Sequence, residues 1–147
     1  MKFFTFAFVA AAGVMQSFQG GMNSKLRKVV GDPWVAGLWV VGLELAVFGL
    51  AALIVRPKLP SWAEMTSGPW WAYIGGILGC SIVYAGLDFA AKLGAGPFNG
   101  IIVTSSIIAS LLLDNFGLVG FEQHPVNLWR IMGGALMIGG VTLIAIF

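Results

Sequence analysis

In the run Leu38-Trp39-Val40-Val41-Gly42-Leu43-Glu44-Leu45-Ala46-Val47-Phe48, one carboxylate, Glu44, stands near the middle of an otherwise apolar segment. A charge near the centre of a bilayer costs a few kcal/mol, and such residues mark ion, proton or substrate pathways. The chemistry on offer is therefore proton or substrate coupling. Gln16, Gln19 and Asn23 recur at three-to-four-residue spacing with Gly13 and Gly20, which gathers amides on one helical stripe. Such a stripe avoids lipid, and it serves either interhelical hydrogen bonding or the lining of a substrate cavity. Tyr84 and Asp88 follow Gly76 and Cys80 at spacing four. Asn99, Ser106 and Ser110 share a face with Val103 and lead to Asp114. The hydroxyls among them either bond back to their own helix or line a cavity. Trp39, deep in its segment, is the one tryptophan placed to line a cavity rather than anchor at an interface.

No soluble catalytic constellation accompanies these groups. His124 is the single histidine and Cys80 the single cysteine, so no metal-ligand set or intrachain disulfide is available. No phosphate-binding loop is present either. The chain is read as a transport protein without catalytic residues, cofactor or metal, and not as an enzyme.

The elements that must position these groups are membrane-spanning helices. Of 147 residues, 59% are hydrophobic and 10% charged, against about 25% charged in soluble domains, and the mean hydropathy is +0.92. Apolar runs of about 20 residues satisfy their own backbone in lipid only as helices. The net charge of +2 gives no reason to expect nucleic acid. The opening Lys2 and Phe3–Ala12 resemble a secretory signal, but the run continues toward Asn23 and is expected to be a retained helix. Punctuation by Gly, Pro and charge predicts one all-α membrane domain over 1–147, with helices at about 3–22, 34–55, 70–91, 97–113 and 129–147. Trp34, Trp70, Trp71 and Trp129 open four of them at the headgroup level. Gly75 and Gly79 with Gly86, and Gly133 with Gly140, are expected to let helices approach closely. Asp88 lies four residues before Lys92, the spacing of a local ion pair at the interface.

Alternation of five spans places Lys2, Arg56, Lys58 and Arg130 on one side and Lys25, Arg27, Lys28 and Lys92 on the other. Orientation normally follows an excess of Lys and Arg on the cytoplasmic side. Four against four predicts insertion in both senses, and hence an antiparallel homodimer whose copies form an inverted repeat. An unseen partner that sets orientation is the alternative.

Several short motifs then fall in a familiar order. They are Gln19-Gly20-Gly21-Met22-Asn23-Ser24-Lys25-Leu26, Trp70–Gly79, Leu93-Gly94-Ala95, Ser110-Leu111-Leu112-Leu113-Asp114-Asn115-Phe116-Gly117, and Arg130 with Gly133 and Gly140-Val141. Together they resemble the YdcZ-like family, a five-helix branch of the drug/metabolite transporter superfamily related to small multidrug resistance proteins and EamA-type carriers. The resemblance implies an exporter of the bacterial inner membrane built as a five-helix half unit. It also implies that Gln19 and Asn23 line the cavity and that Asp114 is a cap or gate, a role Asp88 is given by its position alone. Two positions depart from the family pattern: Ser106 falls where a glutamine is expected, and Glu44 where members tend to be small or apolar.

The combined expectation is a secondary transporter of a small polar or cationic metabolite, embedded in the bilayer as an antiparallel homodimer, with Glu44 as the coupling group. One half of a heterodimer with a paralogous five-helix chain is the second reading, and a dual-topology ion channel the third.

Overall fold

A computed structural model describes residues 2–147. Five of its helical segments are long and apolar enough to cross a membrane. In chain order the α-helices are α1 (Lys2–Val30), α2 (Pro33–Val55), α3 (Trp62–Met65), α4 (Gly75–Asp88), α5 (Ala90–Leu93), α6 (Ala95–Phe116) and α7 (Leu128–Ile146), and a 3₁₀ turn, Trp70–Tyr73, precedes α4. The chain divides into two compact units, the first ending at Phe89 and the second running from Ala90 to Phe147.

In the first unit α1 continues eight residues past the expected stop at 22. Lys25, Arg27 and Lys28 read as a connector in the sequence, yet cations in a last turn complement the partial negative charge of the helix end and extend the helix. Gly31 ends it at φ +86°, a conformation that favours glycine. Asp32 then accepts from the Trp34 and Val35 amides, and Pro33 opens α2 where no N–H is needed. The third span also differs from the expected 70–91. It starts as a 3₁₀ turn after Pro69, its α-helix ends at Asp88, and Ala90–Leu93 belongs to the other unit.

Helix α4 packs on both α1 and α2, which also touch each other. The α1–α4 crossing is made by Gly20 and Asn23 against Gly86. A Cβ at Gly86 would stand 3.6 Å from Asn23 Nδ2 and 3.7 Å from the Gly20 Cα. On the α2 side Leu87, 2% exposed, fits beside Gly37. Most other apolar side chains point outward, Phe3 and Ile54 among them, as helices bathed in acyl chains require.

In the second unit α6 and α7 form one closely packed pair. Gly96 faces Ile144, Gly100 faces Val141, and Gly134 faces Leu111. The sites expected to permit close packing turn out differently. A Cβ at Gly75, Gly79, Gly133 or Gly140 would meet nothing within 4 Å, whereas Gly86 does sit at a crossing. Spacing alone cannot tell which face of a glycine-rich helix meets a neighbour.

The connector between the first unit's second and third spans holds α3, which spacing did not anticipate because Pro57 and Pro60 precede it. Ser61 caps it reciprocally with Glu64, whose carboxylate accepts from the Ser61 hydroxyl and amide at 2.7 Å each. These bonds, the hydroxyl's first, lower the Glu64 pKa. A lowered carboxylate pKa gives support that is present above the ordinary value and is lost as pH falls through the folded one.

Hydrogen-exchange protection of the Ser61 amide should be constant near neutrality and fall on acidification, and Glu64→Gln should abolish that pH dependence. In detergent melts, Gly86→Ala should be nearly neutral, because its new contacts are of ordinary length. Gly100→Ala, which would meet Val141 at 3.0 Å, should destabilise by about 1–3 kcal/mol.

Candidate functional site

Glu44 occupies the central residue of α2, with residues 33–43 before it and 45–55 after it. At about 1.5 Å rise per residue that helix is roughly 35 Å long, against a hydrocarbon thickness of about 30 Å. The carboxylate is exposed, and its hydrogen-bond partner is Gln19 of α1, whose Nε2 donates to Oε1 at 3.3 Å. The two residues come together because α1 and α2 pack as neighbours joined by the two-residue turn Gly31-Asp32.

From Gln19 the polar residues of α1 continue toward its C-terminal end. One turn on, Asn23 is 7% exposed against Gly86, and among the described residues no group hydrogen-bonds its side-chain amide. Ser24 beside it is also buried. One further turn on, Arg27 Nε pairs with Asp88 Oδ1 of α4 at 3.2 Å, and Arg27 Nη1 donates to the Gly31 carbonyl at 2.9 Å. The structure thus gives Asp88 a partner 61 residues away in sequence that the four-residue rule, which pointed to Lys92, does not name. Gln16 lies one turn before Gln19 on α1, and its side chain is exposed.

Between α2 and α4 lies an apolar groove of about 380 Å³. Tyr84 and Cys80 line it with Trp34, Leu38, Val41 and Val83. Trp39 does not; it is 62% exposed. Trp34, expected as an interfacial anchor, takes that place, its ring 5.3 Å from that of Tyr84.

The polar face of α6 is spent on its own backbone. Asn99 Nδ2 donates to the Ala95 carbonyl, Ser106 Oγ to Val103 and Ser110 Oγ to Ser106, at 2.8–2.9 Å. Back-bonding of this kind satisfies hydroxyls inside hydrocarbon without a partner helix. One polar residue of α6 that the sequence reading missed is Thr104. It is 7% exposed on the α7-facing stripe of Gly96 and Gly100, and its Oγ1 has no hydrogen-bond partner among the described residues.

Asp114 ties the last connector down. Its Oδ2 accepts from Arg130 Nη2 of α7 at 2.5 Å, while its carbonyl accepts from the His124 amide and Arg130 Nη1 donates to the His124 carbonyl. Asn115 adds bonds to Val126 and Gln123. The geometry is that of a strap on the loop. Among the described residues, no group of three His, Cys, Asp or Glu is placed to hold a metal.

The comparisons with known proteins agree with the architecture. A family model described as "Putative inner membrane exporter, YdcZ" matches residues 4–143. The chain is 28% identical over 148 residues to the "Inner membrane protein YdcZ" of Escherichia coli (strain K12), which covers 96% of this chain and 94% of that protein. No solved structure matches.

Asp114→Asn keeps the shape of the strap but removes its charge. It should cost about 1–2 kcal/mol in a detergent melt, the worth of a partly exposed charge-assisted bond, and speed proteolysis within residues 118–127. Ser106→Ala and Ser110→Ala should each stay within about 0.5 kcal/mol of the parent.

Proposed function

Because this chain belongs to the YdcZ family of inner-membrane exporters, we propose that it is a secondary exporter of a small polar or cationic metabolite that works as an antiparallel homodimer with Glu44 as its coupling group. The family membership makes it a multi-pass inner-membrane transporter rather than an enzyme. The finer statement is carried by one observation. Glu44 stands at the middle of a membrane-length helix, bonded to an amide of α1 and otherwise open to its surroundings.

A carboxylate left in that position is unstable in lipid, so a polar surface, a cation or a proton must reach it. A two-fold axis lying in the membrane plane maps the midplane onto itself. In an antiparallel pair, the one depth at which a residue can meet its own copy is therefore the depth Glu44 occupies. The balance of positive residues supports the same arrangement. The four against four of the five-span count includes one arginine per side already held by a carboxylate, Arg27 by Asp88 and Arg130 by Asp114. Pairing takes equally from both sides and leaves the tie in place. Neutral amides beside a carboxylate offer acceptors to a cation and no fixed positive charge to an anion, which favours a cationic or polar cargo. Coupling follows if proton and cargo compete for the one carboxylate, since each then leaves only when the other takes its place.

The test begins with a thermal-shift screen of purified protein against cationic and polar metabolites at two pH values, to find a binder. Currents evoked by that binder on solid-supported membranes should depend on pH in the parent and lose that dependence in Glu44→Gln. An unchanged pH-dependent current in Glu44→Gln would remove Glu44 from the mechanism.

A further inference from the structure

Three groups of α1 lie at successive turns on its way from Glu44 to the membrane surface. Gln19 holds Glu44, Asn23 is buried with an unengaged amide, and Arg27 holds Asp88. Eight residues separate Gln19 from Arg27, a rise of about 12 Å. Half the hydrocarbon thickness is about 15 Å, so this row covers most of the distance from the midplane to one interface. On α4 the row faces Gly86, where a Cβ would lie 3.6 Å from Asn23 Nδ2. The other charged groups of these three helices lie at their ends: Lys2 at the start of α1, and Lys25 and Lys28 beside Arg27. Cys80 and Tyr84, the remaining titratable groups of α4, line the separate groove toward α2.

Asn23 is 7% exposed and its side-chain amide makes no hydrogen bond among the described residues, which leaves a donor and an acceptor open to a guest. A water or a passing polar group meets both. We propose that Gln19, Asn23 and Arg27 form the aqueous access route of Glu44 to one membrane face, with the Arg27–Asp88 ion pair as its latch. The route rests on the reading of Glu44 as the coupling group. When the pair separates, water enters beside Asn23. A hydronium ion at the mouth passes a proton along that water to the Glu44 carboxylate, forming the carboxyl O–H and leaving a neutral water behind. In an antiparallel pair the two copies present this mouth to opposite faces, so one latch open and one closed gives access from one side at a time.

The experiment is rapid-perfusion infrared spectroscopy of the full chain in proteoliposomes. The carboxylic-acid band of Glu44 is identified by its absence in Glu44→Gln, and its rise is timed after an acid jump. Asn23→Leu should slow that rise about tenfold, the rate equivalent of one hydrogen bond, at unchanged final amplitude, while Asn23→Ser keeps it near the parental rate. Asp88→Asn and Arg27→Gln, which release the latch, should quicken it. Rates in Asn23→Leu and Asp88→Asn equal to the parent's, with the Glu44 band intact, would overturn the route and leave Glu44 as the coupling group. A parent without any acid-induced Glu44 band would remove the coupling reading itself, and the route with it.

Discussion

A carboxylate cannot stay charged and unattended in hydrocarbon, and the first unit is arranged around that constraint. Glu44 stands at the centre of α2, and among the described residues one neutral amide, that of Gln19, meets it. One hydrogen bond at 3.3 Å is weak compensation for an ion in lipid. In the proposed function the balance comes from a proton, a cargo or a second copy. That shortfall makes the position informative, because a purely structural carboxylate would be enclosed by its own fold.

Helix α1 acts as the polar spine of this unit. Its stripe of amides turns toward α2 at Gln19 and toward α4 at Asn23, and ends in the ion pair of Arg27 with Asp88. Close approach at Gly20 and Gly86 brings the amide of Asn23 against α4. The second unit is built differently. Its serine hydroxyls at 106 and 110 bond to their own helix, Gly96 and Gly100 of α6 receive branched side chains of α7, and Asp114 is spent on holding a loop. Polar chemistry that faces outward is concentrated in the first unit, while the second is occupied with its own packing.

Much of this is legible in the sequence. The five spans follow from apolar runs of bilayer length, which is the strongest signal a sequence carries. The isolation of Glu44 and the stripe of Gln19 and Asn23 are visible from spacing alone, and the family resemblance holds over residues 4–143. What escaped was whatever depends on contacts between distant residues. The partner of Asp88 is Arg27, hidden because α1 extends through a basic stretch that reads as a loop. Trp34 rather than Trp39 lines the groove, since the rotation of α2 about its axis is set by Leu87 packing beside Gly37. Thr104 carries no signal in its neighbourhood, where Ser105 and Ser106 look equally polar.

The central claim is that Glu44 meets its own counterpart across an antiparallel interface, and cross-linking in native membranes tests it most directly. With Cys80 replaced by alanine, Val41→Cys and Val47→Cys are made in separate chains and co-expressed. These positions flank Glu44 symmetrically, about 9 Å apart along α2. An antiparallel pair predicts disulfides between position 41 of one copy and position 47 of the other, and none between identical positions. Cross-links of 41 to 41 and 47 to 47 alone would mean parallel copies and would contradict the account.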